Sequence, residues 1–214
     1  TPIIGLIAGE GPLLYGPEYL HNRIRNDNLY QKLRFYRLDS PYAFFGCFIA
    51  DPKGLAKFAG DGPLNTDDKP IVIFQAPRFI YSEHEPAHIR LLALLKQLTP
   101  LPRHILQTGE IPAGRNVGER LAAYWRARDK FLRAGVGIRQ TENVEDMLAQ
   151  VEKPLLAIVR ESPDFDAAYN PLVTMAKLLH NTNPAAAERL LLELEAANPM
   201  RSEARRVREY LGKQ

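Results

Sequence analysis

Two stretches of the C-terminal half echo one another, and this echo constrains the fold more than any other feature of the chain. "SPDFDAAY" and "NPMRSEAR" align with Pro163 on Pro199, Asp166 on Ser202 and Ala168 on Ala204. The offset is about 36 residues, a period at which helical pairs stack into arrays. Asp166 and Ser202 are each placed to cap the helix that follows. The small alanines let paired helices approach closely. Each pair carries an apolar face that it cannot bury alone, so neighbours must stack.

Everything after Pro102 reads as helical. "GERLAAYWRARDKFLRAG" sets Leu121, Tyr124, Trp125, Arg128 and Leu132 along one face. "NVEDMLAQVE" and "PLLAIVRES" follow, and Pro154 between them is expected to kink or split the helix. This region resembles a degenerate tetratricopeptide array, whose repeat is roughly 34 residues. The Trp-Leu-Gly-Tyr part of that pattern is missing, and an irregular helical bundle is the alternative.

The first half differs. "PIIGLIAG" is a continuous apolar run ended by glycine, the pattern of a fully buried strand. "GPEYLHNRIRNDNLYQKLRFYRL" reads as two short helices. Ser40-Pro41 and Asp51-Pro52 each place a capping residue before a proline at the first helical position, predicting helices over "YAFFGCFIA" and "KGLAKFA". A turn at residues 60–63 and a polar corner at 65–68 lead into "PIVIF", predicted as a strand. "AHIRLLALLKQL" is a helix closed by "TPLP". Residues 99–114, rich in proline and glycine, form the linker. The expected division is an α/β domain over 1–99 and a helical region over 100–214, within the size of one large or two small domains.

The formal charge of +3 is too small to argue for nucleic acid. Cys47 is the single cysteine, so no intrachain disulfide and no cysteine-based zinc site can form. Within "AFFGCFIA" it reads as a small buried hydrophobe, and a reducing, cytoplasmic setting fits. No apolar stretch reaches the roughly 20 residues of a transmembrane helix, and no signal peptide is visible. The chain opens on Thr1 and then at once on a strand-like run, which suggests a piece of something longer.

Three motifs invite chemistry. "HEPAH" places His84, Glu85 and His88 in the zincin pattern, which needs both histidines one helical turn apart. Pro86 speaks against it, because proline fits best at a helix start and leaves His84 outside. No third ligand follows, as Glu110 lies in the loop. Gly9-Glu10-Gly11 lacks the third glycine of a dinucleotide turn, and Pro12 removes a donor. Arg115, Arg120, Arg126, Arg128, Lys130, Arg133 and Arg139 make one region basic, either a solvated face or a site for an acidic partner.

The third motif is "GPLNTDDKPIVIF". Asn65 and Thr66 are turn and capping residues. Asp67 and Asp68 either face water at the lip of an element or act as a carboxylate pair that holds an amine.

"ADPKGLAKFAGDGPLNTDDKPIVIFQAPR" resembles the C-terminal part of spermidine synthase-like proteins. These are bacterial relatives of polyamine aminopropyltransferases, joined in some cases to membrane segments and helical repeats. The specific element is "PLNTDD-x-P" followed by "APR", and the likeness covers the first 80–90 residues. The resemblance implies a methyltransferase-like, Rossmann-like sheet, decarboxylated S-adenosylmethionine as cosubstrate and a polyamine as acceptor. Asn65, Thr66, Asp67, Asp68 and Arg78 carry over as candidate substrate-binding residues. The glycine-rich loop and the Asp-x-x-Asp-Pro loop of the family are missing from these 214 residues.

Two readings follow. The chain is a non-catalytic fragment of a spermidine synthase-like protein whose helical repeat region binds a protein partner. Alternatively, it is the enzymatic part of an aminopropyltransferase. A zinc hydrolase built on His84, Glu85 and His88 is a weaker third.

Overall fold

The computed structural model describes residues 22, 27–81, 86–97 and 117–213. They fall into two compact units, one of residues 49–81 and 86–97, the other of residues 22, 27–48 and 117–213. Among the described residues there is no strand, only an isolated bridge between Thr66 and Lys69. The expected α/β, Rossmann-like segment is therefore corrected to helix. "PIIGLIAG" and Gly9-Glu10-Gly11 lie outside the described residues.

In the second unit, α1 spans Asp27–Phe35 and α2 spans Pro41–Gly46. Ser40 caps α2 as the sequence predicts, its Oγ accepting the Ala43 N–H at 3.0 Å. In the first unit, α3 spans Pro52–Ala59, α4 Ile71–Tyr81 and α5 Ala87–Gln97. Asp51 caps α3 by accepting the Gly54 N–H at 2.6 Å.

Helix α4 replaces the strand expected at "PIVIF". A short apolar run has the same composition in a strand and in a helix. A strand needs a neighbour for its main-chain groups, and among the described residues there is none. The helix satisfies those groups internally. Asn65 adds a cap from seven residues away, its Oδ1 accepting the Val72 N–H at 3.0 Å. Val72, Ile73 and Phe74 are left 60, 69 and 70% exposed.

The rest of the second unit is a succession of helices: α6 (Val117–Val136), α7 (Val144–Glu161), α8 (Asp166–Leu179), α9 (Pro184–Ala197) and α10 (Glu203–Leu211). From α6 to α10 each helix packs on the next, α7 also reaches α9, and α8 reaches α10. Contact with the next helix and the next but one joins these five helices around one continuous core. Its core runs through Leu155, Ile158, Tyr169, Leu172, Leu190 and Leu194. Ala168 and Ala204, paired by the sequence echo, are both fully buried.

Three local expectations are corrected. Pro154 does not split its helix; α7 runs through it from Val144 to Glu161. Leu148, Val151, Leu155, Leu156, Ile158 and Val159 are buried along it, and that packing outweighs one missing backbone hydrogen bond. Asp166 and Ser202 do not cap by their side chains. The Tyr169 hydroxyl accepts the Ala204 N–H in place of a local cap on α10. Cys47 follows the short helix α2 and is exposed rather than buried; its Sγ donates to the Ala43 carbonyl at 3.3 Å.

Candidate functional site

The carboxylates that opened a catalytic possibility sit on a tight turn. Thr66 and Lys69 exchange main-chain hydrogen bonds at 3.2 and 3.0 Å, and Thr66 Oγ1 accepts the Lys69 N–H at 3.1 Å. Asp67 and Asp68 occupy the two positions between them, both exposed. Asn65 is engaged with α4, and Arg78 lies exposed near the end of that helix. In this arrangement the polar residues of the motif build a turn and start a helix. His84, Glu85, Glu110 and Arg115 lie outside the described residues. His88 lies in the first turn of α5, which begins at Ala87, after Pro86. Among the described residues no group of His, Cys, Asp or Glu gathers as metal ligands would.

Arg120, Arg126, Arg128 and Lys130 of the basic region of α6 are partnered within the chain. Arg120 grips Asp164 with two hydrogen bonds, at 3.1 and 2.6 Å, and lies over the Tyr42 ring. Arg126 and Lys130 share Glu161, each at 2.6 Å. These donors hold the Glu161 carboxyl below its usual range, Lys130 first and Arg126 second. Arg128 binds Asp129 and donates to the carbonyls of Gly46 and Phe48 at 2.9 and 2.6 Å. Trp125 Nε1 donates to the Phe45 carbonyl at 3.1 Å. The face the sequence marks with Tyr124, Trp125 and Arg128 thus holds the end of α2, with Trp125 and Arg128 donating to carbonyls in and just after its last turn. Tyr124, pushed up to about 12 chiefly by burial, stays protonated at ordinary pH and is no base.

One concave feature of this unit is a groove of about 510 Å³ along α8, within the usual range for a ligand site. Val144 and Met147 of α7 and Pro171, Met175 and Leu178 of α8 give it an apolar lining. Asn170 and Thr174 add neutral polar groups, and Arg37, Glu142 and Asp166 add charges. The groove exists because α7 and α8 pack antiparallel, bringing the start of one beside the end of the other. Methionines supply adaptable apolar surface. Residues about thirty apart meet here, so no local motif in the sequence announces the site; the echo that predicts stacked helices was the available signal.

Compared with known proteins, the chain matches no family model, no curated protein and no solved structure. Among the described residues, no helix is long and apolar enough to cross a membrane.

Proposed function

We propose that the helical unit is a protein-interaction module and that the groove along α8 receives a peptide segment of its partner. The observation that carries this reading is the groove itself: an open apolar cleft on a stacked helical array, with neutral polar groups among its methionines. Stacked arrays create extended concave surfaces, and such surfaces suit peptide recognition. Leu178, 53% exposed, is the apolar residue that a partner would cover most directly. Asn65, Thr66, Asp67, Asp68 and Arg78 have no part in it.

The test is selection of binders from a phage-displayed library of random peptides on the immobilised chain. Leu178→Glu places a charge at an exposed position of the groove, and Met175→Glu places one at a half-buried residue that packs against the core, so the melting midpoint of that variant is measured alongside. Selected peptides are expected to lose at least about tenfold in affinity for either variant, the scale of burying an unpaired charge. Peptides that bind both variants as tightly as the parent would refute the reading.

A further inference from the structure

Taking the groove as the binding site just proposed, we infer that its occupant lies along α8 as an extended segment rather than a helix, and that the main-chain carbonyl of Ala167 accepts one of its N–H groups. Pro171 carries no N–H. The Ala167 carbonyl, four residues earlier, therefore lacks the donor that a regular helix supplies. Ala167 and Pro171 both line the groove, and Ala167 is exposed. Asn170, beside them and half-buried, makes no side-chain hydrogen bond among the described residues. Its carboxamide offers both donors and an acceptor.

A main-chain carbonyl without its helical donor, beside an amide without a side-chain hydrogen bond, matches the N–H and C=O that an extended chain presents. A helical occupant has already used its interior N–H groups on its own carbonyls. Charge narrows the occupant further. Asp166 is engaged by Arg201. Arg37 and Glu142, both exposed on the rim, have no ion pair among the described residues. They suit a segment with an acidic and a basic residue around apolar ones. Helix α8, with 14 residues, is about 20 Å long, the span of roughly six extended residues.

The experiment uses peptides selected as above for loss of binding to Met175→Glu. Their affinities are measured on the parent chain and on Pro171→Ala, which returns an N–H to Ala167. The expected result is a loss of roughly tenfold on Pro171→Ala, with helical content and melting midpoint unchanged or raised. N-methylating one peptide amide should cost a similar factor on the parent and little more on the variant, the signature of one shared hydrogen bond. This second arm reads the unaltered protein, so it stands even if the variant folds poorly. Equal binding to Pro171→Ala together with tolerance of N-methylation at every amide overturns the inference while leaving the binding reading intact. Absence of any Met175-sensitive peptide overturns both.

Discussion

The hydroxyl of Tyr169 accepts the backbone N–H of Ala204 at 3.1 Å, so a side chain in α8 caps the start of α10. Arg201 closes the joint. Its guanidinium stacks 3.9 Å above the Tyr169 ring and binds both Asp166 and Glu203. Ser202, at the capping position, makes no side-chain cap bond. Tyr169→Phe keeps the ring under Arg201 and removes only the acceptor. Ala204 is fully buried, so its N–H would be left without a partner. The expected loss is about 1–3 kcal/mol. Urea unfolding checks it, with the slope unchanged; an unaltered midpoint would show that Ala204 finds another acceptor.

This joint also marks how far the sequence could be read. The caps at Ser40 and Asp51 were legible because cap and helix are neighbours in the chain. Ala168 and Ala204 were legible as close-approach positions because they recur in the echo. The Tyr169–Ala204 bond links residues 35 apart, and nothing local to Ser202 hints that a tyrosine will do its work. The "PIVIF" run failed for a different reason: strand or helix there depends on a neighbouring strand, which the run does not encode. The groove combines both difficulties, since Val144 and Met147 gain meaning only once α8 lies against them.

Gly46 is the point where α2 meets α6. A Cβ there would lie 2.1 Å from a ring carbon of Tyr124, whose ring packs edge-on against Phe165 at 5.0 Å between centroids. Gly46→Ala should therefore destabilise the unit by about 1–3 kcal/mol through overpacking. Tyr124→Leu in the same chain should recover part of that loss, because it removes the offending ring. Thermal melts of the two single variants and the double variant decide it. Strictly additive losses would place the clash elsewhere.

Glu195, like Glu203, contributes acid sensitivity to the last helical pair. Arg208 binds it at 2.7 Å and Arg205 at 3.5 Å, and the hydrogen bond from Arg208 is the main cause of its lowered pKa. A carboxyl depressed on folding contributes stability above its unfolded value of about 4.3 and loses it as pH falls through the folded value. Glu195→Gln should thus flatten part of the stability decline below about pH 4.3 and lower stability near neutrality. Equilibrium unfolding from pH 7 to 3 gives the comparison. An acid limb of unchanged steepness in the variant would remove Glu195 from the account.

Asn65 and the two aspartates beyond it separate cleanly by role. Asn65 Oδ1 holds the Val72 N–H at the start of α4, whereas the exposed Asp67 and Asp68 form the tip of the Thr66–Lys69 turn. Asn65→Ala should cost about 0.5–1 kcal/mol and speed amide exchange in the first turn of α4. Asp67→Asn with Asp68→Asn should leave stability within about 0.5 kcal/mol, as for other exposed positions. Hydrogen exchange measured across residues 65–78 distinguishes them. If the double aspartate variant loosens α4 as much as Asn65→Ala does, the carboxylates are fixing the helix start through the turn, and Asn65 is not its principal cap.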